Sequence, residues 1–177
     1  MHSPTTSLLL LALAGAACQS EPPSATDAPA AVKELGIYNL SAPFPRVLCS
    51  GQPTEAQFDA LKDAGVTTVI HLRPQSESGT GFEEEHAKAQ GLEFVRFPIN
   101  VRKGDLNKDK VAAFAKLLAD HGDGTTLVSC GSSNRVGSLF ALKAFWIDGK
   151  SKDEALAIGR SAGMTRLADM VAKLMDP

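Results

Sequence analysis

The sequence has 177 residues, of which 44% are hydrophobic and 21% are charged, which is enough for one domain with a hydrophobic core. Its formal net charge is −2, and the basic residues are scattered along the chain. This balance argues against nucleic acid or an anionic membrane surface as a partner. Nothing indicates a cofactor, and no metal-ligand spacing is found among the four histidines, His2, His71, His86 and His121.

The first segment, residues 1–18, predicts a secretory signal peptide. Its apolar run, SLLLLALAGAAC, is shorter than the roughly 20 residues that a bilayer-spanning helix needs. The small residues before Cys18 resemble the lipobox of bacterial lipoproteins, in which the cysteine is lipidated. We therefore expect an exported protein, periplasmic or anchored to the membrane only through lipid on Cys18. Signal cleavage in the alanine-rich stretch before Cys18 is the alternative.

The second segment, residues 19–32, is rich in Pro, Ala and Ser without periodicity, which predicts a disordered tether. The folded domain is expected over residues 33–177. Within it, strands are predicted over 46–53, 66–74, 92–100 and 125–129, and helices over 54–65, 82–91, 110–122 and 135–149. Two more helices complete the chain. This alternation predicts a three-layer α/β domain in which helices flank a largely parallel central sheet.

A possible anion site follows the last predicted strand, in the segment CGSSNR. Cys130 ends the strand, Arg135 opens a helix, and small or turn-prone residues lie between them: Gly131, Ser132, Ser133 and Asn134. The N–H groups of such a loop, together with the helix N-terminus, can bind an anion. Arg135 can donate to two oxygens of that anion. The same field favours a thiolate, so Cys130 is a candidate nucleophile.

Three short motifs, SGQP (50–53), LRP (72–74) and NRVG (134–137), resemble the bacterial beta-lactamase-hydrolase-like phosphatase domain. That domain is a branch of the dual-specificity and tyrosine phosphatase superfamily, and the resemblance covers about residues 36–175. It implies hydrolysis of a phosphorylated protein or a small phosphomonoester, through a phosphocysteine on Cys130. Phosphate would be bound by the loop 131–134 and Arg135. A general acid would come from the loop after the third predicted strand, where Asp105 is the candidate.

The loop differs from that of mainstream tyrosine phosphatases. It places four residues rather than five between cysteine and arginine, Ser129 precedes the cysteine where histidine is usual, and Val136 follows the arginine where a hydroxyl residue is usual. Rhodaneses have a similarly short loop, so a sulfurtransferase using a persulfide on Cys130 is the main alternative. The other alternative is a catalytically weak binding module with a Cys49–Cys130 disulfide. Arg73 and Arg166 are weaker candidates for contact with the site.

Overall fold

A computed structural model describes residues 28–176 of the chain. The predicted signal peptide with Cys18, and most of the predicted tether, lie outside the described residues. The sheet has five strands in the order β1-β2-β5-β3-β4. Its strands are β1 (Ser41–Phe44), β2 (Val47–Ser50), β3 (Thr68–His71), β4 (Glu93–Arg96) and β5 (Thr126–Ser129). Only the β1–β2 pair is antiparallel, so the predicted largely parallel sheet is confirmed.

Helices cover both faces of the sheet. They are α1 (Ala30–Glu34), α2 (Glu55–Asp59), α3 (Glu83–Gln90), α4 (Lys108–Asp120), α5 (Asn134–Trp146), α6 (Lys152–Ser161) and α7 (Ala168–Leu174), with a 3-10 helix at Val101–Lys103. Successive strand residues point to opposite faces. Accordingly, Leu127 of β5 packs in the core layer under α1–α3, and Val128 in the layer under α4–α7. The predicted three-layer α/β domain is therefore confirmed.

The N-terminal part of the domain differs from the prediction. The strand β1 was not predicted, because Pro43 interrupts the apolar pattern of this segment. Within sheets, proline is largely confined to edge strands, and β1 is one. The helix α2 begins at a Thr54–Gln57 capping box but ends six residues earlier than expected, and turns complete the segment. Ala28 is 8% exposed and Val32 is fully buried against the core. The packed domain therefore begins before residue 33, inside the predicted tether.

Helix α5 is fixed by an unusually close contact with α6. A Cβ atom added to Gly137 would lie 2.4 Å from the carbonyl oxygen of Gly159, and one added to Gly159 would lie 2.7 Å from the Cβ of Ala141. Only glycines allow the two backbones to approach so closely. Because α5 begins at the loop after β5, this contact also fixes the position of that loop. No helix within residues 28–176 has the length and hydropathy needed to cross a membrane.

Candidate active site

The carboxyl ends of three parallel strands define the edge at which the site lies. Ser129 of β5 is in register with Ser50 of β2 and with His71 of β3. The next residue, Cys130, donates its backbone N–H to the carbonyl oxygen of Ser50 at 3.2 Å. Ligands of open α/β sheets bind beyond this edge. The fold thus brings Cys130 to the expected position, directly before the N-terminus of α5.

The loop after Cys130 is held by the turn between α6 and α7. Ser133 has a left-handed backbone (φ 62°), and its hydroxyl donates to the carbonyl oxygen of Ala162 at 2.9 Å. The side-chain oxygen of Asn134 accepts from the backbone N–H and the hydroxyl of Thr165, at 2.9 and 3.2 Å. Both side chains therefore serve to shape the loop. The N–H groups of Asn134 and Arg135, at the start of α5, have no acceptor within the described part of the chain.

The guanidinium of Arg135 is oriented by a carboxylate that the sequence did not single out. Its Nη1 and Nη2 atoms donate to the two carboxylate oxygens of Glu77, at 2.5 and 2.9 Å. Nη1 also donates to the carbonyl oxygen of Ile99 at 3.2 Å. Burial alone would lower the pKa of Arg135, but the bond to Glu77 and the interaction with the Cys130 thiol outweigh it, and the pKa is raised.

Glu77 takes one edge of this guanidinium and leaves another edge for an anion. The Nη2 atom of Arg135 lies 3.6 Å from the position of a Cβ on Gly131, so this side of the group faces the loop. Arginine has five N–H donors. Within residues 28–176, the oxygen atoms that accept from Arg135 belong to Glu77 and Ile99, and its other partner is the Cys130 thiol. The donors that face the loop and the thiol are therefore available to a phosphate held by the loop.

Glu77 is itself fixed by Arg73, whose Nε atom donates to it at 2.8 Å. Hydrogen bonds from Arg135 and then Arg73 outweigh the effect of burial and lower the pKa of Glu77 to about 2. Arg73 is held in turn by the side-chain oxygen of Gln52 and the carbonyl oxygen of Ser78, at 2.9 and 2.5 Å. Arg73 thus supports Glu77 and does not line the cavity. In the sequence, Glu77 looks like an ordinary acidic residue of a polar loop.

A cavity of about 440 Å³ opens above the loop, a volume typical of small-molecule sites. Its charged lining consists of three arginines and one carboxylate: Arg102, Arg135, Arg166 and Glu77. Ser132 and Asn134 also line it. Cys130 does not line the cavity and is 1% exposed. An incoming anion therefore meets Arg135 and the loop before it reaches the thiol.

The candidate acid Asp105 lies beside the cavity wall and does not line the cavity. Its Oδ2 atom accepts the backbone N–H of Asn100 at 2.7 Å. Asn100 is a lining residue and caps the 3-10 helix that carries Arg102. In the observed conformation Asp105 thus stabilises the loop that forms this wall.

The second cysteine, Cys49, is close to the first. It lies on β2 opposite Val128, two residues before Cys130, so the two side chains point to the same face of the sheet. Both are buried free thiols. Burial, and then the charge of Cys130, raises the pKa of Cys49 well above its usual value. Cys49 is thus a thiol at neutral pH, and no Cys49–Cys130 disulfide is present.

A buried polar network lies behind Cys130. The Nδ1 atom of His71 is 2.9 Å from the hydroxyl of Ser129, and its Nε2 atom is 3.3 Å from the carboxylate of Glu83. Burial, as the largest cause, lowers the pKa of His71 to about 4, so the ring is neutral at pH 7. With Nε2–H directed at Glu83, Nδ1 accepts the hydroxyl hydrogen of Ser129. A histidine from the neighbouring strand therefore contacts the residue before Cys130, where the superfamily usually has a histidine.

The carboxylate of Glu83 supplies a negative charge to this network and is stabilised by several donors. It accepts hydrogen bonds from the Thr80 hydroxyl, the Gly81 N–H and Arg96, at 2.6, 2.7 and 3.0 Å. Burial would raise the pKa of Glu83, but these bonds outweigh it and lower the pKa to about 2. Glu83 lies in the first turn of α3 and is fully buried. Within residues 28–176 no group of three His, Cys, Asp or Glu side chains is placed to hold a metal ion.

The sheet order, the cysteine at its carboxyl edge and the arginine at the start of the next helix define a cysteine-phosphatase type of domain. Residues 42–170 match the family model described as "DSP-PTPase phosphatase fused to NAD+ Kinase". The chain belongs to this family. The predicted class of cysteine-dependent phosphatase domain is thereby confirmed, and the predicted resemblance to beta-lactamase-hydrolase-like proteins agrees with a relative of that name.

One relative is similar in sequence, and two solved structures are similar in fold. The beta-lactamase hydrolase-like protein of Xylella fastidiosa (strain Temecula1) is 32% identical over 123 residues, which are 67% of this chain and 28% of the relative. The chain thus spans little more than a quarter of that protein's length. The DUF442 protein of Shewanella putrefaciens CN-32 has a TM-score of 0.62 at 23% identity, covering 81% of this chain and 95% of its own. TpbA of P. aeruginosa, solved in complex with pTyr, has a TM-score of 0.61 at 18% identity, covering 87% and 91%.

Proposed function

We propose that the domain hydrolyses phosphomonoesters, with Cys130 as the nucleophile and Arg135 as the main phosphate ligand. The observation that carries this proposal is the Arg135 guanidinium, which has one edge fixed by Glu77 and the other directed at the loop after Cys130. A planar fork held in this way matches two oxygens of a phosphate. The unpaired N–H groups of residues 134 and 135 supply further donors at the N-terminus of α5.

In the proposed first step the Cys130 thiolate attacks phosphorus. The S–P bond forms while the P–O bond to the leaving group breaks, and the leaving oxygen takes a proton. Arg135 and the loop N–H groups stabilise the charge on the equatorial oxygens. Water then attacks the phosphocysteine, which releases phosphate and restores the thiolate.

We keep Asp105 as the proposed proton donor, because it is carried by the loop that forms the cavity wall. In the observed conformation it accepts the Asn100 N–H and does not line the cavity, so donation requires the 100–105 loop to turn. The cavity carboxylate, Glu77, has a pKa of about 2 and is ionised at neutral pH. Phenols leave without much protonation, whereas alkoxides need it. Aryl phosphates are therefore the expected class of good substrates, and alkyl phosphates should react slowly.

The rhodanese-like alternative rests on the four-residue spacing between Cys130 and Arg135. An assay on phenyl phosphate and on thiosulfate separates the two chemistries. We expect turnover of phenyl phosphate by the wild type and none by Cys130→Ser. Cys49→Ser is the matched control, because it removes the neighbouring buried thiol and leaves the nucleophile. Turnover of thiosulfate alone would overturn the phosphatase proposal, and turnover of neither would favour a binding module.

We also propose that the protein is exported and anchored by lipid on Cys18. The support is the apolar run of residues 1–18, which ends in small residues and a cysteine. Labelling of the full chain with radioactive palmitate in a bacterial host tests this. The wild type should incorporate label and Cys18→Ala should not. Labelling of both variants, or of neither, would contradict the anchor.

A further inference from the structure

The cavity contains more arginines than the proposed mechanism assigns to the reacting phosphate. Arg135 and the N-terminus of α5 are assigned to that phosphate. Two further arginines, Arg102 and Arg166, line the same cavity from separate elements, the 3-10 helix after β4 and the turn between α6 and α7. Both side chains are exposed, and neither forms an ion pair with a residue of the 28–176 segment.

Arg166 is positioned by the catalytic loop itself. The backbone N–H groups on either side of it, those of Thr165 and Leu167, both donate to the side-chain oxygen of Asn134, at 2.9 and 3.4 Å. Its Nη2 atom donates to the hydroxyl of Ser132 at 3.4 Å. That neutral contact leaves its charge uncompensated. The loop that receives the phosphate thus also directs a second guanidinium at the cavity.

The backbone of Arg102 is held by capping bonds of the 3-10 helix Val101–Lys103. The side-chain oxygen of Asn100 accepts the N–H of Lys103, and Gly104 closes the short helix in a left-handed conformation. The backbone at Arg102 is therefore defined, while its exposed side chain reaches the cavity. The negative group of the lining, Glu77, is already paired with Arg135 and Arg73, so it does not neutralise Arg102 or Arg166.

We infer that Arg102 and Arg166 bind a second anionic group, a phosphate or carboxylate, on the leaving-group side of the substrate. The inference rests on the proposed phosphatase function and narrows its substrate class. Preferred substrates are phosphomonoesters whose alcohol or phenol carries its own negative charge. A phosphomonoester with a neutral leaving group engages Arg135 and the loop but leaves the two outer arginines unpaired.

A matched substrate pair tests this: 4-(carboxymethyl)phenyl phosphate and its neutral primary amide. The methylene group insulates the ring, so the two phenols leave with similar ease and differ in one charge. We expect the wild-type kcat/KM to be about tenfold higher for the carboxylate, since two partly exposed ion pairs contribute modestly. The preference should shrink as salt rises. In the double variant Arg102→Gln/Arg166→Gln the ratio should fall to about one.

The control variant is Arg160→Gln, which removes one positive charge from the exposed part of α6 without touching the cavity. It should keep the tenfold ratio. A wild-type ratio near one, or a tenfold ratio that survives in the double variant, overturns the inference. An equal loss for both substrates in the double variant, with the ratio intact, also overturns it, because it indicates a structural role.

Binding measurements separate this inference from the phosphatase proposal. The same two compounds are titrated calorimetrically into the Cys130→Ser protein, with and without the two arginine substitutions. The carboxylate should bind about tenfold more tightly than the amide, and only when both arginines are present. If the wild type cleaves neither compound, the phosphatase proposal fails, and this ratio of Kd values still supports or refutes the second anion site.

Discussion

Replacing Glu77 with glutamine is expected to lower kcat/KM for phenyl phosphate by roughly 5- to 30-fold. Each carboxylate oxygen accepts one bond from Arg135, at 2.5 and 2.9 Å. Glutamine keeps one acceptor and turns the other into an N–H₂ group that faces an arginine N–H. A hydrogen bond to a charged group contributes about 1.5–3 kcal/mol. Since the Glu77 side chain is 34% exposed, screening reduces this to about 1–2 kcal/mol.

The loss should appear because Arg135 no longer holds its free edge toward the loop, so phosphate binding and transition-state stabilisation both weaken. Steady-state kinetics at neutral pH measure it. The control is Glu84→Gln, which removes an exposed carboxylate from the first turn of α3, outside the cavity. An unchanged kcat/KM would refute the orienting role of Glu77. A higher kcat/KM would show instead that the carboxylate competes with the substrate for Arg135.

Three further changes test the surrounding structure. The pKa of His71 is lowered from 6.5 to about 4, because the folded protein favours the neutral ring. The free energy of unfolding is therefore highest above pH 6.5 and falls as the pH is lowered to 4, by at most about 3 kcal/mol. Glu83, with its pKa lowered from 4.5 to about 2, adds a second loss below pH 4.5; urea unfolding at pH 7, 5 and 3 measures both. Gly137→Ala should destabilise the domain by about 1–3 kcal/mol, seen as a lower Tm, because its Cβ meets the α6 backbone. Asp105→Asn should lower kcat more for an alkyl than for an aryl phosphate, because an alkoxide needs a proton to leave. The amide can still accept the Asn100 N–H, so the loop should keep its structure.

Each of these predictions can be contradicted by a specific result. His71→Asn should flatten the loss of stability between pH 7 and 5, and a wild type equally stable at both values contradicts the buried neutral ring. Gly122→Ala is the control for Gly137→Ala, because its Cβ would have no contact below 3.5 Å. Equal Tm values for the two alanine variants would contradict the close helix contact. Equal losses on both phosphate classes would contradict proton donation by Asp105.

Features with a local cause were predictable from the sequence. The capping boxes at Thr54–Gln57 and Ser151–Glu154 belong to this class, because both partners of each box lie within one helical turn. The predicted strand 125–129, followed by small residues and Arg135, indicated the loop that the structure places between β5 and α5. Once the strands are parallel, Cys130 must lie at the carboxyl edge of the sheet, so its placement required only the order of the elements.

Features that depend on packing between distant segments were not predictable. The short helix α1 lies in a stretch with the composition of a tether, and only burial of Val32 against the core accounts for its order. The edge strand β1 pairs with β2 despite Pro43. Glu83 reads as a solvated acid at a helix start, but Thr80, Gly81 and Arg96 satisfy it in the interior. Hydrophobic periodicity reflects the local structure of a segment, so it does not predict contacts between residues that are distant in the sequence.

The sequence by itself determined the class of the domain and the loop between Cys130 and Arg135, since strand, cysteine, small residues and arginine are contiguous and their geometry follows from local rules. The tertiary structure decided how that loop is set for an anion. Glu77 reaches Arg135 from 58 positions away, and Thr165 reaches Asn134 from 31. The tertiary structure also decided that Asp105 bonds to the Asn100 N–H and does not line the cavity, whereas Arg166 does. These choices depend on which loops meet at one edge of the sheet, and that is fixed only when the whole chain has packed.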